Sequence, residues 1–178
     1  MRILLPSLLL LLSTCSLAIA QSPYAGQQHR AVKSLSSERM AGLEAGRGLG
    51  YAKAAELNGY PGPKHVLELA DELGLSETQR ARTRELFETM QERASALGRE
   101  LIAAEAALDE AFARGDISPE RLAELVAASA RIEGDLRRVH LEAHLGQAAV
   151  LDEEQTERYV RLRGYGSGSH EHHRRHRN

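Results

Sequence analysis

Between residues 76 and 114 the apolar positions advance by fours and threes: Leu86, Met90, Ala94, Leu97, Leu101, Ala104, Leu108 and Ala111. That spacing keeps them on one side of an α-helix and predicts a single buried stripe. At 1.5 Å per residue such a helix is roughly 55–60 Å long. A second run, Leu122, Leu125, Ser129, Ile132, Leu136, Val139 and Ala143, steps by three and four without a break, as a heptad seam does. Between the runs stand Gly115, suited to the left-handed residue past a helix end, and Ser118-Pro119-Glu120, a cap followed by proline in the first turn. So short a connection between two long helices predicts an antiparallel hairpin.

Each end of this stretch carries the same phrase. Leu75-Ser76-Glu77-Thr78-Gln79 and Leu151-Asp152-Glu153-Glu154-Gln155 both read as leucine, cap residue, two polar residues and glutamine. The Ser or Asp oxygen accepts a backbone N–H of the first turn, and the glutamine reaches back to the cap residue's own N–H. A final helix from Asp152 through Tyr159 and Leu162 to Gly164 follows, and a short one from Lys64 to Leu73, ended by Gly74, comes before.

Further upstream the pattern weakens. Residues 21–35 are polar and mixed and read as a loose arm. A helix can start at Ser36-Ser37-Glu38 and run through Leu43, Leu49 and Ala52 to Leu57, stopped by Asn58-Gly59 and Pro61-Gly62-Pro63. Gly42, Gly46, Gly48 and Gly50 each cost it about 1 kcal/mol relative to alanine. The expected class is all-α: a long antiparallel helical hairpin with shorter flanking helices. Its organisation is a leader at 1–20, an arm with one weak helix at 21–62, a hairpin domain at 63–164 and a disordered His/Arg-rich tail at 165–178. A hairpin this thin buries little alone, which predicts a homodimer in which each seam completes the other's core.

Residues 1–20 read as a secretory signal peptide. Arg2 supplies the positive start, Leu4 to Leu12 an apolar run broken only by Pro6 and Ser7, and Ala18-Ile19-Ala20 a small-x-small site cleaved after Ala20. The run is too short to span a bilayer, so no transmembrane segment is expected in the mature chain. An anchor helix, or acylation at Cys15 after a poorly placed Thr14, are the competing readings. Cys15 is the single cysteine, so the mature chain forms no disulfide and no thiolate metal site. Without Arg2 the formal balance is −3, an ordinary surface; with two Phe, five Tyr and no Trp it argues against nucleic acid as a partner.

The clearest local chemistry is His140-x-x-x-His144. Imidazoles four apart share a helix face and can chelate one divalent ion such as Zn, Ni, Co or Cu. In the heptad frame His140 flanks the seam and His144 falls further round, towards solvent. The competing reading is two solvated histidines. In the tail, His170, His172, His173 and His176 form a second, flexible metal-binding candidate, interspersed with Arg174, Arg175 and Arg177 that also suit a solubilising tail. Loosely held metal of this kind would be lost below about pH 6 as imidazole protonates. No Gly-rich phosphate loop, cysteine nucleophile or Ser/His/Asp pattern is present, and Glu153-Glu154 complement a helix dipole. The arginines of the long helices read as a solvated face laced with Glu, or as a cradle for partly unfolded clients.

An export signal, two L-x-x-x-Q phrases heading helices, a long hairpin between them and a His-rich end resemble the Spy/CpxP/ZraP group of periplasmic stress proteins, to which the CnrX-type cobalt–nickel sensor is similar. The resemblance covers Pro63 to Gly164; the family's threonine after leucine is here Ser76 and Asp152, both competent caps. It implies a small, non-enzymatic, periplasmic helical dimer. Such a dimer chaperones unfolded envelope proteins without ATP, tunes a membrane stress sensor, or binds heavy metal. In the sensor-like relatives a His-x-x-x-Met pair matches His140 and His144, and further ligands come from the preceding helix and the start of the long one. The nearest equivalents are His65 with Glu68, and Glu85 or Glu88. A metal sensor or buffer and a structural envelope module are the alternative functions.

Overall fold

The computed structural model describes residues 22–165. Among them are six α-helices and no strand: α1 (Ser37–Glu44), α2 (Lys53–Glu56), α3 (Pro63–Glu68), α4 (Glu77–Arg114), α5 (Pro119–Ala148) and α6 (Glu153–Leu162). No helix in this region is long and apolar enough to cross a membrane. The segment 1–20 read as a signal peptide, with Cys15, and the tail histidines His170, His172, His173 and His176 lie outside the described residues.

The long helices begin and end where local chemistry directs. Ser76 caps α4 and Asp152 caps α6, each bonded to the N–H of the glutamine three residues on, with that glutamine accepting from the cap's own N–H. Gly115 closes α4 in the left-handed conformation at φ 71°, and Ser118 caps α5 ahead of Pro119. α4 and α5 pack on each other, and their polar contacts advance along one helix as they recede along the other. Thr83 meets Gln147 at 3.2 Å, and Arg93 meets Glu142 at 3.2 Å. Their inner faces hold Ala94, Leu101, Leu125, Ile132, Leu136 and Val139, all buried. Leu122, which opens the seam, stays 37% exposed at the far end.

The twin phrases meet. Gln79 donates through Nε2 to Gln155 Oε1 at 2.7 Å and to the Val150 carbonyl at 3.0 Å. Gln155 donates to Gln79 Oε1 at 3.2 Å and to the Leu73 carbonyl at 3.4 Å. Backbone N–H groups can only donate, so the caps fix each amide oxygen inward and leave each NH2 facing the other phrase. Leu75 and Leu151, the leading leucines, lie buried with Val66, Leu73, Tyr159 and Val160 in the core at this end.

The segment before Pro63 departs from expectation twice. Of the expected loose arm, residues 32–35 are docked, while 22–31 stay exposed or half-exposed. Val32 and Leu35 join Leu43 in one cluster with Leu101, Ile132, Leu136 and Val139, each side chain contributing about 1.5–3 kcal/mol by leaving water. Lys33 pairs with Asp109 at 2.9 Å, Ser34 donates to Glu105 at 2.6 Å, and Arg39 reaches Glu133 at 3.1 Å. The arm thus covers in cis part of the seam for which a second copy was expected. Nor is there one helix from 37 to 57: α1 stops at Glu44 and α2 spans only 53–56. Gly46 (φ 63°), Leu49 (φ 41°) and Gly50 (φ 85°) take left-handed conformations that no helix accommodates. Gly98 of α4 lets the arm lie this close, since a Cβ there would overlap the Leu43 carbonyl oxygen.

Candidate functional site

His140 and His144 stand one turn apart on α5, on the side crossed by the 46–53 loop and the Tyr60–Pro63 segment. The heptad frame puts His144 towards solvent; the structure buries both, at 4% and 8% exposure. The frame counts only the two long helices, and the covering chain comes from the arm. His144 Nδ1 lies 2.8 Å from the Tyr60 carbonyl oxygen. A carbonyl only accepts, so Nδ1 carries a proton. The chain passes the other edge of this ring at Gly62, where a Cβ would stand 2.8 Å from Cε1 and 2.9 Å from Nε2.

The ring of His140 stacks on Tyr51, centroids 5.8 Å apart and planes 11° from parallel. Its Nε2 is buried with no hydrogen-bond partner, an arrangement that costs on the order of 1–3 kcal/mol. Burial, and secondarily the neighbouring His144, hold its pKa down to about 4, so this imidazole is neutral at any ordinary pH. The Tyr51 hydroxyl, raised by burial and by Glu133, lies 3.3 Å from that carboxylate.

Across from the histidines sits Glu56, its side chain 13% exposed. Oε1 accepts from Tyr159 Oη at 2.7 Å, Arg163 Nε at 3.1 Å and Tyr165 Oη at 3.2 Å. Burial and the Glu56 carboxylate drive the Tyr159 hydroxyl far above its usual range. Oε2 has no partner and lies 3.8 Å from His144 Nδ1. Nothing in the local pattern of Lys53-Ala54-Ala55-Glu56 marks this residue; its role arises from contacts over a hundred positions away. His140, His144, Glu56 and His65 line one cavity of about 400 Å³, with Phe87, Met90 and Leu49 among the apolar walls. Leu49 is the one non-glycine residue in the described chain with a positive φ, strain of the kind that gathers at functional sites.

Three histidines singled out in the sequence are therefore brought to one cavity, with differing availability. His65 already holds Glu68 through Nδ1 at 2.7 Å, the bond that chiefly lowers the Glu68 carboxyl. Glu85 is bonded to Arg82 at 2.6 Å beside a separate groove, and Glu88 is exposed; neither lines the cavity. Imidazole and carboxylate are a donor set for borderline divalent ions, yet among the described residues no three His, Cys, Asp or Glu side chains are assembled to hold one. Comparison with protein-family models, with curated proteins and with solved structures finds no match to this chain.

Proposed function

We propose that this chain is an exported, non-enzymatic stress-response protein of the Spy/CpxP kind, a helical hairpin with flanking helices that works in the periplasm as a homodimer. Its responsive element is the cavity at His140 and His144, which takes a divalent transition metal. The observation that carries this reading is the buried, unpartnered Nε2 of His140 one turn from His144, whose tautomer is set by a backbone carbonyl as metal-ligating histidines commonly are. Binding draws back the Gly62 segment and brings Glu56 or His65 inward, the displacement that a sensor needs. Loss of the arm's hold on the seam would expose apolar surface to a second copy.

Calorimetric titration with Zn, Ni, Co and Cu tests this. A site should survive in H170Q/H172Q/H173Q/H176Q and be lost in H140Q/H144Q. Should the tail substitutions alone alter binding, the cavity is not the metal site. A second reading, as an ATP-independent chaperone, is favoured by Phe112, Leu122 and Val126, all exposed near the far end of α4 and α5. It requires suppression of client aggregation at stoichiometric ratio, reduced in F112S/V126S.

A further inference from the structure

The cavity has walls and a rim for which a metal has no use. Leu49, Phe87 and Met90 give it an apolar body, and about 400 Å³ is ample for a small organic molecule. Arg47, Lys53 and Lys64 stand on its rim, all exposed. Lys64 faces Glu68 at 3.7 Å. Arg47 reaches a backbone carbonyl, that of Glu38, at 3.5 Å, and neither Arg47 nor Lys53 meets a carboxylate among the described residues. The one carboxylate in the lining, Glu56, is on the buried wall, with Oε2 unpartnered.

We propose that this cavity binds a small amphipathic organic anion, its apolar body between Leu49, Phe87 and Met90 and its charged head at Arg47 and Lys53. The charges fix the orientation: the Glu56 carboxylate repels an anion from the buried wall, and the rim cations attract it. The buried Nε2 of His140 is the position for a hydroxyl or carbonyl oxygen carried on the body, since a neutral imidazole can donate or accept there. This inference does not depend on the metal reading: the head is held by Arg47 and Lys53 and the body by the apolar walls, and the two readings share only the His140 Nε2 edge of the cavity.

Octanoate, octylammonium and octanol share a tail and differ in the head, and serve as the probes. In calorimetry with the full chain, octanoate should bind saturably and at least tenfold more tightly than the other two. Occupancy should move the ring-proton resonances of His140. R47Q/K53Q, both surface changes, should weaken octanoate at least tenfold and leave octanol unchanged. Met90→Trp, or Ala143→Leu if that chain does not fold, should abolish binding by filling the body. Equal affinity for all three probes, no saturable octanoate binding, or an unchanged R47Q/K53Q would overturn the proposal. Zinc titration of R47Q/K53Q separates the readings: retained zinc binding with lost octanoate preference supports the anion site, and zinc binding lost in H140Q/H144Q with octanoate preference retained supports it also.

Discussion

Replacing Gln79 by alanine removes more than a helix cap. Its Oε1 accepts the Ser76 N–H at 3.0 Å and the Gln155 amide at 3.2 Å, while its Nε2 donates to Gln155 at 2.7 Å and to Val150 at 3.0 Å. A net hydrogen bond is worth about 1 kcal/mol, with more lost where a half-buried partner is left unsatisfied, so Gln79→Ala should cost about 2–4 kcal/mol. Gln155→Ala removes the matching set and should cost a similar amount. The informative quantity is the coupling between them. Two of the bonds join the glutamines directly, which predicts that the double variant falls short of the summed single losses by about 1–2 kcal/mol. Urea unfolding at constant m-value measures all four corners of the cycle. If the single losses simply add, to within about 0.3 kcal/mol, the two phrases are independent caps and the clasp contributes nothing to holding α4 and α6 together.

Three further outcomes follow from the packing and the charges. Gly98→Ala puts a methyl into the Leu43 carbonyl and should lift the arm, seen as faster amide hydrogen exchange across residues 32–45 with α5 protection retained. Tyr159→Phe removes a hydroxyl that donates to the Glu56 carboxylate at 2.7 Å; the expected loss is about 2 kcal/mol, read as a Tm lower by roughly 5 °C. His140, neutral in the folded chain down to about pH 4, takes its proton near pH 6.5 once unfolded, so the unfolded state holds more protons between these limits. Stability is then full above pH 6.5 and declines by about 3 kcal/mol as pH falls to 4. The neighbouring His144 and Tyr51 are common to H140Q, whose urea midpoint should fall less over the same interval; an equal fall would refute the buried neutral imidazole.

Both ends of α4 and the starts of α5 and α6 were legible because their causes are local. Ser76, Gly115, Ser118-Pro119 and Asp152 act on backbone groups within a few residues, and a stripe repeating every three or four positions reports which side of a helix is dry. The same frame misplaced His144, since burial there comes from the Tyr60–Pro63 segment, which belongs to neither long helix. It also drew one helix where residues 45–52 turn through three left-handed positions, which is where local glycine content and tertiary docking of the arm both act.

By itself the sequence determined the all-helical character of the described residues, the extent of α4 and the caps that begin α4 and α5, because each is settled by hydrogen bonds and side-chain periodicity within one or two turns. Only the tertiary structure decided that Gln79 and Gln155 bond each other, that the arm covers the seam in cis, and that Glu56 faces the histidines. Those contacts join positions 71 to 94 residues apart, and no local pattern encodes which distant surfaces a turn-rich segment will bring together.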